Sequence, residues 1–132
     1  MILVDTSALL DFLGGRATKA ALLLERLVRE RATFHLAPIV VQEVLQGARD
    51  EKQWKRLNRY LGSQSWVDVA DPLQSRIAAA RIFFECRRRG LTVRSGDDCL
   101  IAQIALDHDL ALLHDDRDFE AIRRVRPLRT LP

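Results

Sequence analysis

The chain has 132 residues, 48% of them apolar, and 21 basic against 18 acidic side chains give a formal charge of +3. That length suits one domain spanning residues 1–132, and the apolar fraction excludes a disordered chain. No apolar run reaches the roughly 18–20 residues that span a bilayer, and Asp5 and Asp11 break the N-terminal apolar stretch as no signal peptide would, so a cytoplasmic location without membrane contact is expected.

Ile2–Val4 reads as a buried strand that runs straight into Asp5, Thr6 and Ser7, with a helix starting near Ser7 and Gly14-Gly15 closing the unit. Across residues 16–31, Ala20, Leu23, Leu24, Leu27 and Val28 recur at helical spacing. Residues 33–36 are a second strand candidate, and Pro38 opens a helix in its favoured first turn, with Val41, Val44, Leu45 and Ala48 inward. Trp54, Leu57 and Leu61 mark a short helix, and residues 65–69 an edge strand. Residues 71–89 follow at helical intervals through Leu73, Ile77, Ala80 and Phe84 until Gly90 stops them, and residues 91–93 read as a short extended piece. Ser95 caps a helix carrying Leu100, Ile101, Ile104 and Ala105; residues 110–113, 119–123 and 128–131 then read as strand, short helix and strand.

Strands alternating with helices predict an α/β fold with a central, mainly parallel sheet of about four or five strands flanked by helices. In such sheets, sites form beyond the carboxyl ends of strands. Asp5 follows the first strand, and His114, Asp115 and Asp116 follow a late one.

Each acid has a plainer explanation. Asp5 suits a helix N-cap. Ser95-x-x-Asp98 resembles a capping box, and acids in a first turn are favoured by the helix dipole, although Asp97 beside Asp98 repels it. Asp115, Asp116 and Asp118 fit a solvated loop with Arg117 between them. Glu43 is harder to explain away, because it shares a helical row with Ile39, Val40 and Gly47 and so borders the buried face, where an unpaired carboxylate is costly. Gly47, one turn on, leaves space beside it. Taken together, the acids point to one convergent pocket. Carboxylates without Cys or His partners select Mg²⁺ or Mn²⁺ over zinc, and Cys86 and Cys99, in no metal-binding spacing, read as buried thiols. Such a site suits metal-assisted phosphodiester hydrolysis. Of the histidines only His114 lies near it, as a structural or peripheral residue.

Four blocks in order, MILVDTSALLDFL, PIVVQEVLQGA, SGDDCLIAQIA and LLHDDRDFEAI, resemble a PIN-domain ribonuclease, and more closely the VapC toxins of bacterial VapBC toxin–antitoxin pairs. The resemblance covers essentially the whole chain. It implies a PIN-like fold, usually dimeric, and an Mg²⁺- or Mn²⁺-dependent endoribonuclease inhibited by a cognate VapB-type antitoxin. It also implies a higher assembly with that antitoxin, which alone would contact operator DNA. Residue by residue it implies metal ligands at Asp5, Glu43, Asp98 (rather than Asp97) and Asp116, with Asp118 a further candidate. Ser7 resembles the hydroxyl that steadies the acids, with Thr6 beside it. His114 stands where the family more often has Thr.

Arg87, Arg88, Arg89 and Arg94 flank Gly90, and more arginines crowd positions 123–129. They are candidate contacts to RNA phosphates, which supply affinity but little base specificity. Aromatic residues are only 6% of the chain, so recognition by RNA shape, as in a folded tRNA or rRNA, is expected. Two other readings compete. A metal-dependent phosphatase of the HAD type needs a second Asp two residues after Asp5, where this chain has Ser7. A non-catalytic RNA-binding module explains the arginines but not Glu43.

Overall fold

The computed structural model describes residues 1–132. Its centre is a parallel sheet in which β1 (Ile2–Val4) pairs with β2 (Ala111–Leu113), and β2 with β3 (Thr130–Leu131). Val4 lies opposite Leu113, and Leu113 opposite Leu131, so all three strands end together. On the other side of β1 the sheet continues through single parallel bridges, Leu3 to His35 and Leu36 to Trp66.

The five segments expected as strands thus occupy the sheet, but only three are regular strands. Pro38 begins the next helix directly after Leu36 and Ala37, which cuts the second segment short. That segment offers its edge neighbour only Leu36, whose N–H donates to Ser65 and whose carbonyl accepts from Val67, both at 2.9 Å. Residues 91–93 are not a strand. They follow Gly90, which has a positive φ of 69°, and lead to Arg94, whose N–H donates to a side chain instead of a ladder.

Parallel neighbours need crossovers, and seven helices supply them. α1 (Thr6–Leu13) and α2 (Lys19–Arg29) follow β1; α3 (Pro38–Gln46) and α4 (Glu51–Gly62) follow the second segment; α5 (Gln74–Arg88) and α6 (Gly96–Asp107) lead to β2; α7 (Asp118–Arg123) leads to β3. Caps trim the expected spans: Thr18 accepts from Ala21 N at 3.1 Å, so α2 starts at Lys19, inside the span 16–31. Gly47 is the C-cap of α3 rather than a residue within it.

One apolar cluster of 28 buried residues fills the space between sheet and helices. Leu3, Val4, Leu112 and Leu113 are fully buried, and α6 is buried on most of its circumference through Cys99 to Ala102, Ile104 and Ala105. Each such Leu or Ile contributes about 1.5–3 kcal/mol by burial, enough in aggregate to hold a cluster of like charges at the sheet's carboxyl end. Cys86 and Cys99 are buried free thiols. No helix is long and apolar enough to cross a membrane.

Candidate active site

Where β1 and β2 end, Asp5 N donates to Leu113 O at 2.9 Å, so the two acidic strand ends begin side by side. Asp5 then caps α1: its Oδ2 accepts from Ser7 N at 2.9 Å and from Ser7 Oγ at 2.5 Å. Its other oxygen, Oδ1, is buried without a partner, although the residue is only 2% exposed. Capping therefore accounts for half of this carboxylate. Burial pushes its pKa up to about 6 against the lowering effect of the Ser7 bonds.

Asp98 is half-buried in the first turn of α6 while Asp97 is exposed. Ser95 caps that helix by accepting from Asp97 N at 3.1 Å. Burial first, and then the charges of Asp5, Asp116, Asp118 and Glu43, push Asp98 up to about 8. One carboxylate oxygen from each of Asp98, Asp116 and Asp118 falls within 4.8 Å of the others. Glu43 reaches the same region from α3, where its Oε1 accepts from Thr6 Oγ1 at 2.7 Å. The structure therefore brings Asp5, Glu43, Asp98, Asp116 and Asp118 to one end of the sheet and leaves Asp97 outside.

The hydroxyls and one arginine hold this arrangement. Ser7 Oγ donates to Asp5 and accepts from Asp115 N at 2.9 Å, stitching α1 to the turn after β2. Arg94 donates to Asp116 through Nη2 at 3.0 Å and to Asp118 through Nε at 3.1 Å, while its backbone N–H also donates to Asp118 at 3.0 Å. Burial disfavours the charge of Asp118, but these bonds outweigh it and hold the carboxyl below the usual range. Of the four arginines read as RNA contacts, Arg94 is thus engaged with the acids, whereas Arg87 and Arg88 are exposed on α5 and Arg89 Nη1 donates to Arg124 O.

His114 is buried against Phe119, with ring centroids 4.9 Å apart. Its Nδ1 accepts from Asp116 N at 3.1 Å, which puts the proton of the neutral ring on Nε2, facing Glu120 at 3.4 Å. Burial keeps its pKa below the ordinary value, so it orients the Asp116 turn as a neutral group.

Two features escaped sequence reasoning. The Arg94 clamp joins positions 24 apart, and no spacing announces it. Asp11 is buried, accepting from Arg16 and Thr18, and its carboxyl beside Asp115 pushes the Asp115 pKa up. Its place one turn beyond the buried Ala8 is the same signal that singled out Glu43.

The donor set tests well for a hard divalent cation. The atoms are all carboxylate oxygens, one of them a buried orphan, and the nearest histidine has both nitrogens occupied. The PIN-domain profile matches residues 2–125. The chain is 37% identical over 130 residues to VapC ribonuclease Mb1587 of Mycobacterium bovis, covering 98% of this chain and 96% of that one. It is equally similar, with the same coverage, to ribonuclease VapC11 of Mycobacterium tuberculosis. Among solved structures, VapBC2 of Rickettsia felis bound to a promoter DNA fragment superposes with a TM-score of 0.72 at 18% identity, over 99% of this chain and 98% of that one. The chain belongs to the PIN-domain family, within its VapC group.

Proposed function

We propose that this protein is the toxin of a type II toxin–antitoxin pair, an Mg²⁺- or Mn²⁺-dependent endoribonuclease that hydrolyses phosphodiester bonds in structured RNA such as tRNA or rRNA. The observation that carries the reading is the convergence of Asp98, Asp116 and Asp118 beside the unpartnered Asp5 Oδ1. The ribonuclease names of its VapC relatives support the reaction class. Asp5, Glu43, Asp98 and Asp116 would hold the cation, with Asp118 as a further ligand. When bound, the cation supplies Lewis-acid stabilisation of the phosphate and lowers the pKa of a water.

The chain's own residues prepare that site. Arg94 keeps Asp118 ionised and oriented, Ser7 fixes one oxygen of Asp5 and leaves the other free, and Thr6 aims Glu43. The same reading includes a homodimer, a VapB-type antitoxin, and operator DNA contacted only through that antitoxin. Leu10 and Leu13 of α1 and Leu22 of α2 are exposed apolar residues on the helices next to Asp5, and they support a docking amphipathic segment there.

The test is cleavage of a tRNA transcript in Mn²⁺. EDTA should stop it, and Asp5→Asn should abolish it while leaving the circular dichroism spectrum unchanged. RNA bound but never cut, in any divalent cation, would favour the non-catalytic RNA-binding module.

A further inference from the structure

Away from the acids, the arginines gather where the C-terminal ends of α5 and α7 meet. Phe84 projects there, 45% exposed. The Arg81 guanidinium lies 4.9 Å from its ring centroid and that of Arg88 5.6 Å, while Arg87 lies 5.8 Å from the ring of Phe83. The ring borders a hollow of about 290 Å³ lined by Arg81, Phe84, Glu85, Arg88, Arg89 and Arg124. Glu85, the one acid in it, is already engaged by Arg126 Nη2 at 2.5 Å. The surface therefore combines a flat π-face with net positive charge.

That combination fits an unpaired nucleotide: the base stacks on the ring or on a guanidinium plane, and its phosphate meets the arginines. A second copy of this chain fits less well, because it would set arginines against arginines. The hollow and the acidic cluster lie at the two ends of α7. α7 carries Asp118 in its first turn and is capped at its C-terminal end by Arg124, whose carbonyl accepts from Arg89 at 2.6 Å. Six helical residues rise about 9 Å, a gap that a short stretch of strand crosses. The low aromatic content pointed to shape alone, yet two of the five phenylalanines lie side by side among these arginines.

We infer that Phe84, flanked by Arg81 and Arg88, is a stacking platform for an unpaired nucleotide of the substrate RNA a short stretch of strand away from the scissile bond, with Arg89 and Arg124 beside its phosphate. The inference rests on the ribonuclease reading above. It predicts that loops of folded RNA, where bases are splayed out, are cut in preference to duplex.

The test uses the full chain and a fluorescein-labelled, 20-nucleotide single-stranded RNA. Binding is read by anisotropy in an Asp5→Asn background, and cleavage kinetics in Mn²⁺ with Asp5 intact. Phe84→Ala should weaken binding about tenfold, and Phe84→Tyr should restore it. Arg88→Glu should weaken binding and flatten its salt dependence by about 0.7 in logarithmic slope for each phosphate it no longer neutralises. With Asp5 intact, KM should rise and kcat hold. Arg88→Glu alters an exposed position, so it carries the test if Phe84→Ala fails to fold. Unchanged affinity in Phe84→Ala and Arg88→Glu, alongside normal cleavage by the parent, would overturn the platform and leave the ribonuclease reading intact. No cleavage by the parent would overturn that reading first. A dimer that dissociates in Phe84→Ala with RNA affinity unchanged would overturn the platform in favour of an interface between copies.

Discussion

Asp97 and Asp98 differ by one position in sequence and by everything in surroundings. One faces water, and the other is half-buried beside a cluster of like charges, so that burial first and those charges next push its pKa up to about 8. Asp98→Asn should therefore lower kcat more than about a hundredfold, beyond the range typical of outer-sphere partners of a metal, while Asp97→Asn should stay within about twofold. Steady-state cleavage of a tRNA transcript checks both, and the reverse order would move the ligand to Asp97. Asp5 adds a pH signature. Its carboxyl titrates near 6 in the folded chain against 3.8 as a free side chain, so between those values the native state holds more protons than the unfolded one. Without metal, stability should fall as pH rises from about 4 to 6, by about 3 kcal/mol from this group alone. Thermal melts in EDTA across that range should show the decline, and Asp5→Asn should make it shallower, with Asp98 carrying the remainder, and melt several degrees higher at pH 7. Mn²⁺ should raise the wild-type midpoint and leave the Asn variant nearly unmoved. At this scale the sequence was legible wherever a carboxylate broke an apolar pattern, as Glu43 does. It was silent on Asp97 against Asp98 until the family's spacing was applied, because a helix start shifted by one residue exchanges their roles.

The strands are two or three residues long, too short to position a site on their own, so cross-links between element ends do the positioning. Thr6 ties α1 to α3, Ser7 ties α1 to the turn after β2, and Arg94 ties the entrance of α6 to that of α7. Arg94→Ala should leave Asp118, which is 3% exposed, without its counter-charge. The bond from the backbone N–H at position 94 survives that change, and solvent reaching the exposed guanidinium screens part of what is lost. Melts of the metal-free variant should drop by several degrees, and saturating Mn²⁺ should recover part of the loss. An unchanged midpoint would release Arg94 to RNA binding. Helices were legible as elements because amphipathic spacing and caps are local signals; their ends moved with Thr18 and with Asp71, whose Oδ1 accepts from Gln74 N at 2.7 Å before α5. The sheet was read less well. Residues 91–93 have a strand's composition, but their last hydrogen bond goes to a carboxylate 24 positions away, and nothing local records that.

Across the whole molecule, the parallel order of the sheet follows from strand–helix alternation, and the position of the pocket follows from the sheet. What alternation does not reveal is that β1, the first strand made, sits in the middle, with later segments on both sides. Both the core and the pocket therefore depend on the end of the chain. Ser7 and Asp115 share a hydrogen bond across 108 positions, and at about 5–20 residues per second a ribosome needs roughly 5–20 s to make the second after the first. Through that interval Asp5 waits without Asp116, and β1 without β2. The acidic cluster is therefore unfinished until the second of these strand ends has been made. Assembly of the pocket is thus spread over time, its first acid made seconds before the acids it converges with.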